Sequence, residues 1–133
     1  MVEDEESFKS VFKAASALAG GVARQGETCG ALTGAILALG TVVGRERMED
    51  IKQFRSAMDP ATKIYEAFKE RIGDTLCKEI MIIRYGRSFR LDDPEDVKAF
   101  REAGGNDANG CPEICGIAAR IAAEVILENM EKG

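Results

Sequence analysis

The 133-residue chain contains no histidine and no tryptophan, and only three prolines. Without histidine, Ser-His-Asp and Cys-His catalysis and His-ligated metal or haem chemistry are excluded within this chain. Any thiol chemistry must be tuned by helix dipoles, Lys/Arg, carboxylates or a metal. No apolar run is long. The longest, Gly30 to Gly44, is glycine-rich and shorter than the ~20 residues a spanning helix needs, so no membrane insertion is expected. The first residues, Met1-Val2-Glu3-Asp4-Glu5-Glu6, are acidic and lack the apolar core of a signal peptide, which reads as a cytoplasmic protein. A formal charge of −5 argues against nucleic acid as the main partner.

Apolar residues make up 45% and charged residues 31%, the balance of a soluble globular chain. This length fits one domain, 1–133, with an adequate core. Four cysteines are modest for that length. In a cytosolic protein they point to redox work, metal or plain burial before a structural disulfide frame.

The expected fold class is all-α: a compact single-domain bundle of five to seven helices around a buried glycine-rich helix. Phe8, Val11, Phe12, Ala15 and Leu18 give residues 4–19 a helical stripe, ended by Gly20-Gly21. A short loop, Val22 to Glu27, leads to the glycine-rich helix, which runs to about Val43. That helix is made almost wholly of small and apolar residues, so burial all round is expected. Its Gly30, Gly34 and Ala38 lie four apart on a side that another backbone can approach. A homodimer sharing that face is a further expectation.

Arg45 to Met58 reads as a helix with Met48, Ile51, Phe54 and Met58 as its stripe. Asp59-Pro60 reads as a restart, with Asp as N-cap and Pro at the first helical position. The helix it opens carries Ile64, Phe68 and Ile72 and ends at Gly73. The next element opens near Cys77, with Leu76, Ile80 and Ile83 as its buried side; Met81-Ile82-Ile83 also fits a buried strand. Tyr85 to Leu91 is a loop, flanked by Arg84 and carrying Arg87 and Arg90, whose charges read as solvated. Asp92-Asp93-Pro94 caps a short helix to about Ala103. After a glycine-rich loop, Cys111-Pro112 opens the last helix.

Cys29, Cys77 and Cys111 thus fall at or within the first turn of three helices, and Cys115 lies one turn after Cys111 on the same face. A helix N-terminus carries unpaired N–H groups and about half a positive charge, which favours thiolate over thiol. One such cysteine is better explained as a small buried hydrophobe; three at separate helix starts point to use. Two chemistries fit. One is dithiol/disulfide exchange, a thiol-dependent oxidoreductase or electron-transfer activity with a redox partner protein, in which Cys29 is the candidate attacking thiolate and Cys77, Cys111 or Cys115 its partner. The other is an iron–sulfur cluster or metal held by the same four thiolates, although no tight C-x-x-C spacing marks such a site. The plain alternative is a helical interaction module with inert buried thiols.

The stretch Cys29-Gly30-Ala31-Leu32-Thr33-Gly34 resembles the Cys-Gly-Ala-x-x-Gly motif of the putative redox-active protein family, short helical four-cysteine proteins of mainly anaerobic bacteria and archaea. Gly73-x-x-x-Cys77 and Cys111-Pro112-Glu113 extend the resemblance over most of the chain. The resemblance implies a redox role for Cys29, Cys77 and Cys111 and keeps an iron–sulfur centre open. The family's first cysteine, in the N-terminal helix, has no counterpart before Cys29. Cys115 is an extra thiol by that comparison.

Overall fold

The computed structural model describes residues 4–132. Six α-helices follow one another: α1 (Glu5–Ala15), α2 (Gly30–Val43), α3 (Ile51–Ile72), α4 (Cys77–Tyr85), α5 (Pro94–Glu102) and α6 (Cys111–Lys132). A single 3-10 turn, Ser16–Leu18, extends α1. Among the described residues there is no strand, and Met81-Ile82-Ile83 lies within α4. The fold is all-α.

The core is a three-helix contact. Leu32, Ala35, Leu39 and Val43 of α2 recur at three- and four-residue steps and meet Ile64, Phe68 and Ile72 of α3 and Ile114, Ala118, Ile121, Ala122, Val125 and Ile126 of α6. Phe68, Leu32, Leu39 and Ile64 are the largest fully buried side chains; each contributes about 1.5–3 kcal/mol by burial. A second, smaller cluster holds Met81, Phe89 and Phe100, with Tyr85 against it. Its rings meet edge-to-face at centroid distances of 5.6–6.1 Å, a geometry that suits their quadrupoles.

Four expectations are corrected. First, α3 is one continuous helix from Ile51, capped by the Asp50 carboxylate accepting the Gln53 N–H at 3.0 Å. Asp59-Pro60 does not restart it. Pro60 removes one N–H bond, but it stands on the same i, i+4 row as Ile64, Phe68 and Ile72 and is buried with them, so packing carries the helix through. Second, the stripe Met48, Ile51, Phe54 and Met58 is exposed and is not core; the Arg45 guanidinium covers the Phe54 ring at 4.5 Å.

Third, α2 is not buried all round. Gly34, Leu37, Ala38 and Gly40 are exposed, and no atom lies within 4 Å of where a Cβ on Gly34 or Gly40 would sit. Only Gly30 meets a backbone closely, with the Leu18 carbonyl 3.3 Å from its would-be Cβ. Fourth, in α4 the buried pair is Ile80 and Met81, and Ile83 is exposed. The α1 stripe is only partly covered: Val11, Ala15 and Leu18 are half-buried, while Phe8 and Phe12 are exposed and stack on each other at 5.8 Å.

Candidate functional site

The link between α1 and α2 makes the first part of the site. Gly20 and Gly21 have φ of 69° and 71°, and the next three residues, Val22, Ala23 and Arg24, follow at 62°, 51° and 65°. Five successive residues thus form a left-handed turn, which costs roughly 1–2 kcal/mol for each non-glycine residue. It is held by backbone bonds: the Ala23 N–H donates to the Ala17 carbonyl (2.7 Å), Arg24 to Ala19 (3.1 Å) and Glu27 to Gly21 (2.8 Å). Gly21 has no room for a side chain, since its Cβ would fall 2.6 Å from the Glu27 nitrogen and 2.7 Å from the Cys77 Cβ.

The turn delivers residues 26–29 to the start of α4. Thr28 faces Leu76 in an isolated antiparallel bridge. The Cys29 N–H donates to the Thr75 carbonyl at 2.8 Å, and the Cys77 N–H to the Glu27 carbonyl at 2.7 Å. The Lys78 N–H donates to Gly26 at 3.1 Å. Asp74 accepts the N–H groups of Thr75 and Leu76 at 2.7 and 2.9 Å, fixing the approach to the bridge. Because Thr28 and Leu76 share one face of the bridge, Cys29 and Cys77, each one residue further on, share the other.

The third helix start, α6, is set by the loop before it. The Cys111 N–H donates to the Gly105 carbonyl at 2.9 Å. Gly105 lies directly on the Phe100 ring, where a Cβ would meet ring atoms at 2.2–2.4 Å. Cys115 follows one turn along α6.

These elements enclose one cavity of about 400 Å³, lined by Cys29, Cys77, Cys111 and Cys115 together. The structure therefore brings all four candidate site residues to a single place. The rest of the lining is small or apolar, with Gly21, Gly30 and Gly34 keeping it open and Asn106 as its polar residue other than the thiols. Among the described residues no charged side chain lines it. Cys29 and Cys77 are half-buried, while Cys111 and Cys115 are exposed, and all four are free thiols.

The electrostatics differ from the expectation of lowered thiol pKa values. Burial pushes Cys29 above its ordinary value; the N–H groups of Ala31 and Leu32 at the start of α2 offset part of this, and the neighbouring Cys115 adds to it. Burial, then the charges of Cys29 and Cys111, push Cys77 up to about 11. Cys111, exposed as a residue but with its sulfur turned to the apolar cavity lining, is raised by desolvation, then by Cys29 and Cys115, against a lowering by Arg84. The physical reason is desolvation in an apolar cavity, together with mutual repulsion of thiolates. No backbone N–H lowers Cys77 in return; its own N–H and that of Lys78 donate to the Glu27 and Gly26 carbonyls.

Arg84 donates to the Asn109 carbonyl (3.1 Å) and Glu113 (3.2 Å), and its charge lowers the neighbouring Cys111. Arg87 and Arg90 pair with Asp96 and Asp92 on the surface. Asp93 sits at the N-cap of α5 without a side-chain cap bond. Sequence reasoning missed Tyr85. Its hydroxyl is buried without a hydrogen-bond partner, and the charge of Cys111 contributes, after burial, to raising its pKa. No pattern in the sequence marks it, because the α4 and α6 ends meet only in the fold.

A family model described as "Putative redox-active protein (C_GCAxxG_C_C)" matches residues 2–125. The chain belongs to that family. The redox-active protein family's label orders its motif Gly-Cys-Ala, whereas residues 29–31 run Cys-Gly-Ala, with the closing glycine at Gly34. The label places one cysteine before the motif, and this chain has none there. On the N-terminal side the cavity is lined instead by Ala15, Leu18 and Ala19. Comparison with curated proteins and with solved structures finds no match. Among the described residues no three Cys, Asp or Glu side chains are grouped closely enough to hold one metal ion, and no helix is long and apolar enough to cross a membrane.

Proposed function

We propose that the protein is a small thiol-based electron carrier that exchanges with a disulfide on a redox partner. The observation that carries this reading is the convergence of four free thiols, from three helix starts, on one uncharged cavity. Cys29 is the attacking sulfur. It stands at the N-cap of α2, where the nearby N–H groups of Ala31 and Leu32 offset part of the rise in pKa that burial causes. Its thiolate attacks one sulfur of the partner disulfide and the other leaves as a thiolate. A second cavity thiol then attacks Cys29 and releases the partner fully reduced. Two electrons pass to the partner and one disulfide remains on the chain.

A second reading is favoured by the composition of the same lining. Four cysteines around one cavity match the donor set of an iron–sulfur cluster, and a polynuclear cluster spreads its ligands over several irons, so it does not need three thiols around one point. Cys29, Cys77, Cys111 and Cys115 would be its ligands, and the cluster would supply one-electron transfer. Anaerobic purification with iron and sulfide analysis, and thiol counting before and after treatment with oxidised glutathione, separates the two. The carrier reading expects no stoichiometric iron and a thiol count that falls reversibly in steps of two. Bound iron and sulfide with visible absorption would replace it by the cluster. Four thiols that neither oxidise nor label in the folded state would overturn both.

A further inference from the structure

We infer that the disulfide this chain reduces belongs to a small uncharged molecule, which enters the cavity and lays its organic part on the apolar lining. The inference rests on the thiol-carrier reading and names the class of its substrate.

The cavity holds about 400 Å³, within the roughly 300–1,000 Å³ of sites that take small molecules. Its thiols come from the starts of α2, α4 and α6. Other parts of the fold supply an apolar wall: Leu18 from the turn after α1, Met81 from inside α4, Leu91 from the link to α5, and Phe100 from α5. Apolar surface therefore lies beside the thiols, and a substituent on an entering sulfur gains by leaving water against it. Gly34 lines the cavity from an exposed position, with nothing within 4 Å of where its Cβ would sit. An entering molecule meets no side chain there.

Charge decides the class. Among the described residues no Asp, Glu, Lys or Arg side chain lines the cavity. Both cations of α4 face carboxylates instead, Arg84 with Glu113 at 3.2 Å and Lys78 with Glu27 at 3.9 Å. A cysteine of ordinary pKa is mostly neutral at pH 7, and burial raises Cys29 and Cys77 further. A carboxylate or ammonium carried into this lining loses water and finds no counter-charge. A neutral disulfide meets no such penalty.

The exchange balances without a further reactant. A chain thiolate attacks one sulfur of R–S–S–R, that S–S bond breaks, and the leaving thiolate takes a proton to become RSH. A second cavity thiol then attacks the mixed disulfide, closes a disulfide within the chain and releases the other half as RSH. Two electrons and two protons pass from two thiols to one small disulfide.

The test measures how fast the reduced full chain loses thiols to three disulfides of similar length. Hydroxyethyl disulfide is neutral, dithiodipropionate anionic and cystamine cationic. Each rate is divided by that of a neutral reference thiol, N-acetylcysteine amide, with the same disulfide. The net charge of −5 acting alone gives a rising order of anion, neutral, cation. The cavity gives a different order: the neutral disulfide is fastest, by about tenfold or more over both charged ones. Asn106→Asp, at an exposed loop position of the lining, places a carboxylate in the cavity and raises the cystamine rate several-fold relative to hydroxyethyl disulfide. Equal normalised rates, or a steady rise from anion to cation, overturn the inference and leave the carrier reading standing. A relative cystamine rate that Asn106→Asp does not move has the same consequence. No loss of thiols to any of the three overturns both. Selectivity here is a matter of rate: excess oxidised glutathione, charged at both ends, still oxidises the chain given time.

Discussion

Cys29 and Cys77 occupy two helix starts that echo each other in sequence, each with a glycine and a threonine a few residues ahead of the cysteine. They are clamped to one another by a single bridge, yet their thiols meet different backbones. At α2, Cys29 is itself the N-cap and makes no side-chain cap bond, yet the nearby N–H groups of Ala31 and Leu32 offset part of the rise that burial causes. At α4, the N–H groups of Cys77 and Lys78 are consumed by the carbonyls of Glu27 and Gly26. The helix dipole is present in both places. What differs is the position: Cys29 is the N-cap of α2, where first-turn N–H groups oppose burial, whereas Cys77 stands one residue inside α4, where burial and two neighbouring thiols raise the pKa unopposed.

The hardest way to break this comparison is to remove the packing that makes it. Gly21→Ala puts a methyl group into the Glu27 backbone and the Cys77 Cβ at a positive φ. The expected cost is about 3 kcal/mol, read as a fall in urea midpoint, with Cys77 becoming reactive in the fraction that stays folded. Wild-type stability with Cys77 still protected would show that the turn does not press on α4.

The next test reads the difference directly. With a thiol pKa of about 11, Cys77 at pH 8 holds roughly a hundredfold less thiolate than a free cysteine of pKa ~8.5. Its alkylation by iodoacetamide, followed residue by residue, should rise about tenfold per pH unit until pH 11, while Cys29 reacts first of the two. Equal rates at Cys29 and Cys77 would remove the distinction. Linkage gives a matching sign. The folded pKa lies above the unfolded one, so this contribution to stability is whole below about pH 8.5 and is lost as pH rises through about 11.

Smaller changes sharpen the comparison. Gly34→Ala, one turn beyond Cys29 on α2, meets nothing within 4 Å. It should raise stability by about 1 kcal/mol through helix propensity alone, measured by thermal melting, and leave the pH dependence of Cys29 labelling unchanged. A loss of stability would mean that the glycine face is covered after all. Ala23→Gly relieves one left-handed residue; after the added entropy of the unfolded chain, a gain of about 0.5 kcal/mol is expected, with Cys77 as protected as before.

The helices were legible in the sequence because their stop and start signals are local: Gly20-Gly21, Gly73, Asp93-Pro94 and Cys111-Pro112 all fall at boundaries. Pro60 misled because its signal is local while the force that overrides it, burial of the Pro60–Ile72 row, is tertiary. The same holds for α1 and for the outer side of α2. Periodicity says which residues share a face, but whether a neighbour covers that face depends on helix count and geometry. For the site, the helix-start placement of three cysteines could be read, and so could the shared face of Cys111 and Cys115. Their meeting in one cavity could not. The reversal of the pKa argument lay beyond reach too, since it depends on burial in a cavity and on neighbouring thiols that only the fold brings together.

The Thr28–Leu76 bridge also makes α2 and α3 a closed loop whose two ends are held beside each other. Seen as a problem in chain topology, everything between those ends is an excursion that leaves and returns to one point. The exposed bend at residues 44–50 is its far tip, away from all four thiols. A foreign domain inserted there, or new termini opened there, should leave the cavity assembled, whereas the same cut at residues 24–27 would release both helix starts at once.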